Sequence, residues 1–421
     1  MSVWQSRLMC WMILLSSSQI LNASENAARP KLRIGVATTV YYHNSHADVI
    51  ASRLLHTNML DGTGSEFGME LVSLYVDQYP SSDISRLLAS SHRFHSAMTI
   101  PDSLTVGTDS LNVDGFLLIA EHGNYPRSAS GNQQYPKKRF WDEMLKVFDS
   151  SGRVVPVFLD KHLSDNWAEA EYIYQSAKKR NIPLMAGSSV SGGWRFPPAD
   201  VRRGAKLKQI VGLSFGATDA YGFHGLEALQ ALAEQREGGE TGVVSVQCLS
   251  GEALWKAIDA GILDRELLNR ALDRLPDYDH ELPLDPASVR DPKLFIMQYR
   301  DGLQTFLLEL NRHGRAGAWT AAWRYADDDS VESTQFWTQE ARPAGHFGFL
   351  LQGVEEMMRS GKPTWPVERT LLTTGILDAA MQSLSTDGVR METPWLNVNY
   401  QSEWRWKTPP PPPVCRPWGD Q

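Results

Sequence analysis

Between Lys31 and Gly187 the chain alternates short apolar runs, rich in β-branched residues, with longer amphipathic segments. The runs are Lys31–Val40, Glu70–Val76, Gly115–Ala120, Val154–Leu159 and Leu184–Ala186. Each has the length and composition of a buried strand. Helices are predicted over 46–56, 83–91, 137–149 and 167–181. In the last of these, Trp167, Ala170, Tyr174 and Ala177 recur at helical spacing, and Asn181-Ile182-Pro183 stops the helix. Strands buried on both faces and joined by helices form a parallel sheet, so this half reads as an α/β domain.

The pattern changes after about residue 200. Asp301-Gly302 separates the apolar runs 294–300 and 303–310, a strong hairpin signal. His313-Gly314 followed by Ala316–Tyr325 predicts a third antiparallel strand. Helices are predicted over 222–236, 251–260, 265–274, 346–360 and 367–384, which makes the second half α+β. The expected division is 31–190, 191–405 and a Pro-rich tail over 406–421, with Pro409–Pro413 extended and solvated. No internal repeat is present.

Hydrophobic residues make up 42% of the 421 and charged residues 21%, enough apolar matter for real cores. The formal net charge of −8 gives no basic surplus, which argues against a general nucleic-acid binder. Residues 1–23 read as a secretory signal: Arg7, the apolar core Leu8–Leu15, then Leu21-Asn22-Ala23, with cleavage expected after Ala23. Export to the periplasm or medium is therefore expected, with no membrane span left after signal removal. Of the three cysteines, Cys10 lies in the signal, Cys248 in an apolar run and Cys415 in the tail, so no disulfide framework is expected.

Ligands of a parallel α/β sheet bind outside the carboxyl ends of its strands. Those ends carry Tyr41-Tyr42-His43-Asn44-Ser45-His46, Asp77, Glu121-His122, Asp160-Lys161-His162 and Ser188-Ser189. Any one such group is explained by strand ends reaching water; five together point to a cleft. The glycine turn that lets backbone approach a pyrophosphate is absent: Ala37-Thr38-Thr39-Val40-Tyr41 stands there. Asp77, ending the second strand, has the position of a ribose-binding carboxylate, and a turn role fits it equally.

The stretch 152–188 reads G-R-V-V-P-V-F-L-D-K-H-L-S, a helix, then R-N-I-P-L-M-A-G-S. It resembles the Gfo/Idh/MocA oxidoreductase family, whose counterpart is G-K-x-V-x-x-E-K-P-L, a helix and a further strand. Val113–Ile119 is similar to the family's D-A-V-x-I strand, and Asp219–Glu227 to its D-x-x-x-H-x-x-D segment. The departures are the missing glycines, Asp160-Lys161-His162 in place of E-K-P, and Asp219 standing five residues before His224 instead of four.

The resemblance implies a Rossmann-like N-terminal domain and a C-terminal α+β domain with an open, mostly antiparallel sheet. It implies oxidation or reduction of a sugar or polyol with NAD or NADP. Lys161 and His224 would match the catalytic pair, facing one cleft. Thr38, Thr39, Asp77, Glu121 and His122 would contact the cofactor, and Asp160, His162, Ser188 and Asp219 the substrate. The family's open sheet also allows a homo-oligomer. Two other classes stay open. One is a non-catalytic binding protein or scaffold on the same fold. The other is a metal-dependent hydrolase or isomerase drawing on His43, His46, Glu121, His122, Asp160 and His162, although no spacing among them is diagnostic of a metal site and none is assigned as a ligand.

Overall fold

A computed structural model describes residues 30–60, 62–276, 278–281, 283–311, 317–339 and 343–412. The expected signal segment, Cys10, Cys415, His313-Gly314 and Pro413 lie outside the described residues.

The first half opens with β1 (Leu32–Thr38), α1 (His46–Ala51), β2 (Met69–Val76), α2 (Ser85–His92), β3 (His95–Ala97) and α3 (Ile100–Thr105). It continues with β4 (Gly115–Ile119), α4 (Lys137–Ser151), β5 (Val157–Asp160), α5 (Trp167–Arg180) and β6 (Leu184–Gly187). The six strands form one parallel sheet in the order β3-β2-β1-β4-β5-β6. The order reverses between β1 and β4, which creates the crevice where this sheet type binds ligands. β4 (GFLLI) is buried along its whole length because both faces of the sheet are covered. On one face α4 packs Phe140, Trp141, Met144 and Phe148, and α5 packs Ala170, Ile173 and Ala177.

The second half contains β7 (Trp194–Phe196), β8 (Leu207–Ser214), a π turn (Thr218–Gly222), α6 (Phe223–Ala233), β9 (Val243–Ser250), α7 (Gly251–Asp259) and α8 (Arg265–Leu272). Then follow β10 (Lys293–Tyr299), β11 (Gln304–Glu309), β12 (Trp319–Tyr325), β13 (Val331–Trp337), α9 (His346–Ser360), α10 (Val367–Ser385) and β14 (Met391–Glu392). These strands form one open sheet in the order β14-β9-β10-β11-β8-β12-β13-β7. Every neighbouring pair is antiparallel except β11 and β8. α6 and α10 pack on one face and α7 and α8 on the other. α9 instead returns to the first sheet, where Phe347, Leu351, Val354 and Met357 close over Ile34, Val36, Leu117 and Phe158. Each such side chain, fully buried, contributes about 1.5–3 kcal/mol.

One expectation is corrected. The third strand, Trp319–Tyr325, does not lie beside the Asp301-Gly302 hairpin, because β8 inserts between β11 and β12 and pairs with both. The signals for β3 and α3 went unread, although Thr99 caps α3 and Pro101 stands in its first turn. The described part of the tail is extended, with Pro410 and Pro411 exposed, and two bonds hold it to the body: Trp406 Nε1 donates to Gly193 O at 2.8 Å, and Trp194 Nε1 donates to Pro410 O at 2.7 Å. Among the described residues no helix is long and apolar enough to cross a membrane.

Candidate functional site

The chain leaves β5 through Asp160-Lys161-His162, with Lys161 in the left-handed region at φ 61°. A non-glycine residue there costs about 1–2 kcal/mol, so the surroundings must hold it. Lys161 N donates to Gly187 O at 3.2 Å and accepts at its own carbonyl from Gly187 N at 3.1 Å. Lys137, on the buried face of α4, supplies the second clamp. Its ammonium donates to Glu121 Oε1 at 2.9 Å, Asp160 O at 3.0 Å and His162 O at 2.7 Å, so all three protons are spent. The carbonyls on either side of Lys161 are thereby fixed, and its side chain emerges toward Glu121, with Nζ to Oε2 at 3.2 Å.

Glu121 is thus a buried carboxylate between two ammonium groups. Burial works against its charge, yet Lys137 and Lys161 outweigh that and hold its pKa well below the usual carboxylate range. For Lys161 burial again opposes ionisation, and Glu121 and Asp160 more than compensate, so its pKa is raised. Lys161 is a permanent cation. The imidazoles around it behave oppositely. Burial, reinforced by His46 and Lys161, pushes His122 down to about 4. Burial and Lys137 push His162 down to about 3. Both are neutral at pH 7, and His122 Nε2 is buried without a hydrogen-bond partner among the described residues.

The opposite wall comes from the second half. The π turn leads into α6, where His224 Nδ1 lies 2.6 Å from Ser188 Oγ. Ser188 Oγ also accepts from Val190 N, and Ser188 N donates to Glu227 Oε2 at 3.2 Å. A Cβ on Gly187 would come within 2.5 Å of that same Glu227 oxygen, which is why glycine stands there. In the tautomer that donates Nδ1–H to Ser188, Nε2 of His224 is the acceptor. Burial pushes the His224 pKa well below its ordinary value, and the charge of Lys161 pushes it further. Beside His224, Tyr221 stacks on Trp319 with centroids 5.8 Å apart, and Phe215 closes the aromatic wall. Asp219 pairs with Arg127 at 2.9 Å.

The edge of the sheet at β1 differs. Thr38 and Thr39 are fully buried; Thr38 Oγ1 donates to Ile119 O at 2.9 Å and Thr39 Oγ1 to Glu121 O at 2.5 Å. Both hydroxyls tie the turn to β4 and present no surface. At the head of α1, Ser45 Oγ accepts from Asp48 N and Tyr42 N, and Asp48 Oδ2 accepts from Asn44 N at 2.8 Å. His46 Nδ1 reaches across to Asp160 Oδ2 at 2.6 Å, with its ring edge against His122 and Phe347. Asp77 accepts from Tyr75 and Tyr125 hydroxyls and from Arg139 at 2.6–2.7 Å. Those donors outweigh burial and lower its pKa.

The structure thus gathers Glu121, His122, Asp160, Lys161 and His162 into one cluster, sets Ser188 and His224 opposite, and leaves Thr38, Thr39 and Asp77 in bonds of their own. Of the six metal-ligand candidates, Glu121 is held by lysines and Asp160 by His46, while His43 is exposed. Among the described residues no three His, Cys, Asp or Glu side chains are placed to hold a metal ion. Lys137 was missed from sequence. Its signal is a lysine on the same helical stripe as Phe140, Trp141, Met144 and Phe148.

No known family model matches the sequence, and no curated protein is significantly similar to it. Solved structures do share the fold. GenD2 from gentamicin A biosynthesis, solved in complex with NAD, is 12% identical, with 86% of this chain and 97% of its own covered, at a TM-score of 0.55. The apo scyllo-inositol dehydrogenase of Lactobacillus casei is 10% identical over 86% and 98%, at 0.53. The myo-inositol dehydrogenase of the same organism, in complex with NAD(H) and myo-inositol, is 11% identical over 86% and 96%, at 0.52. At such identities the likeness establishes the architecture: a Rossmann-like sheet joined to a mixed, mostly antiparallel one.

Proposed function

We propose that this chain is an oxidoreductase-like protein of the Gfo/Idh/MocA type that takes a sugar or polyol between Lys161 and His224. The observation that carries the reading is the pairing of a buried lysine kept protonated by Glu121 with a histidine kept neutral across the same space. Transfer from a carbinol needs a cation for the developing oxyanion and an acceptor for the hydroxyl proton. Lys161 supplies the first and His224 Nε2 the second, with Ser188 orienting the ring. His162, Asp160 and Asp219 border the substrate, and Tyr221 and Trp319 offer an apolar face to its C–H groups. The inositol dehydrogenases that share the fold support this substrate class.

A nicotinamide would supply the hydride acceptor in such chemistry, and GenD2 and the myo-inositol dehydrogenase hold NAD. In this chain the pyrophosphate position does not fit that group. The amides of Asn44 and Asp48 are spent on Asp48 and Ser45, and an internal carboxylate already occupies the head of α1. NAD or NADP is therefore expected to bind weakly, and no step is assigned through it. The same turn favours a second reading, a sugar-binding protein without redox chemistry. Export rests on residues 1–23, and a native-source chain beginning near Ser24 by mass spectrometry checks it. A homo-oligomer would not use the outer face of the second sheet directly, because α7 and α8 cover it.

Calorimetry with myo-inositol, sorbitol and glucose tests the cleft. Binding weakened about tenfold or more in Lys161→Met and His224→Gln is expected. Binding that is absent throughout, or indifferent to both variants, overturns the reading.

A further inference from the structure

The segment after Tyr400 crosses the molecule as an extended strap. Trp404 and Trp406 are half-buried, while Glu403, Arg405 and Lys407 are exposed, the alternation of an extended chain with one face inward. The strap is pinned along its length. Arg203 donates to the carbonyls of Ser402 and Trp404, at 2.5 and 2.6 Å. The guanidinium of Arg369 lies 4.6 Å from the Trp404 ring centre, and that of Arg195 lies 4.7 Å from Trp406. Under the strap lies a cleft of about 470 Å³, floored by α9, the start of α10 and the loop after β6. That volume is ample for a small molecule.

The lining says what kind. Trp365, Trp404, Trp406 and Phe349 contribute aromatic surface. The indole N–H of Trp365 is spent on Ala186 O and that of Trp406 on Gly193 O, so the rings offer apolar surface and are held in place. Arg369 is paired with Glu234. The remaining charges, Glu356 and Glu403 against Arg405 and Lys407, balance. Neither an anion nor a cation is selected. Fixed aromatic faces beside hydrogen-bonding groups of both signs match a ligand with apolar C–H faces and a hydroxylated edge.

We propose that this cleft binds a neutral saccharide, at a site separate from the Lys161–His224 space. Ser188 lines it and also bonds His224, so one residue forms the wall between the two sites. The inference goes beyond the proposed activity and does not need it.

Calorimetry and tryptophan fluorescence of the full-length protein against cellobiose, maltotriose and diacetylchitobiose provide the test. At least one sugar is expected to bind, about tenfold more weakly to Trp406→Ala and within about threefold of wild type to Trp406→Phe, which keeps an aromatic face. Circular dichroism of both variants checks that they fold. Absence of binding by all three sugars overturns the proposal. So does binding that survives Trp406→Ala but is lost in Lys161→Met; that outcome puts the sugar between Lys161 and His224 and leaves the proposed function standing. Loss in Trp406→Ala with retention in Lys161→Met supports the strap site even where the cleft reading fails.

Discussion

The turn after β1 and the turn after β5 leave the same edge of the same sheet and treat polarity in opposite ways. At the first, the hydroxyls of Thr38, Thr39 and Ser45 and the carboxylate of Asp48 consume local donors and acceptors. At the second, Lys137, Glu121, Lys161 and Asp160 concentrate charge, and the neighbouring His122 Nε2 has no hydrogen-bond partner among the described residues. The contrast teaches that two turns on one sheet edge can satisfy polarity differently: one closes its polar groups on each other, and the other concentrates buried charge.

The largest expected effect breaks the charged turn with acid. Burial pushes the folded pKa of His122 down to about 4 and that of His162 down to about 3, against 6.5 unfolded. A depressed folded pKa means that the unfolded chain takes up protons first. Stability is therefore full above about pH 6.5 and falls as pH drops toward 4. At about pH 5 the loss is about 1–2 kcal/mol for each histidine. Glu121 acts in the same direction but only below its unfolded value of 4.5. Urea denaturation from pH 7.5 to 4.5 reads the slope, and a flat profile removes the buried neutral imidazoles.

Lys137→Met should come next, with a loss of about 3–5 kcal/mol by urea unfolding, because Glu121 keeps only one cation and two carbonyls lose their donor. Little change would mean that the clamp on the Lys161 turn is dispensable. Glu121→Gln should cost less, about 2 kcal/mol, because Lys161 can lose its proton in response. The Lys161 pKa should fall, readable by NMR of the methylated lysine; an unmoved value would assign its charge to Asp160. Ser45→Ala, at the turn after β1, should cost only about 1 kcal/mol as a lost helix cap.

Much of this architecture was legible because it rests on local pattern. Unbroken apolar runs and the Pro183 stop placed β1, β4, β5, β6 and α5 to within a few residues. The insertion of β8 between β11 and β12 was not legible, because strand order in a mixed sheet is set by contacts remote in sequence. Glu121, His122 and Lys161 stand out in the sequence at strand ends, whereas His224 is singled out only by the family resemblance. Lys137 does not stand out, because a lysine at the head of an amphipathic helix reads as solvated until its three acceptors are seen. The missing glycines were plain in the sequence. That Asp48 and Ser45 fill their place is a matter of side-chain direction, which spacing does not give.

The central proposal is that the β1 turn is closed to a pyrophosphate while the Lys161 cleft is kept. Calorimetric titration of NAD and NADP into the purified protein at pH 7.5 tests it most directly. The proposal predicts no saturable binding tighter than about 100 μM for either nucleotide. Submicromolar binding of NAD or NADP to the unmodified protein would contradict it.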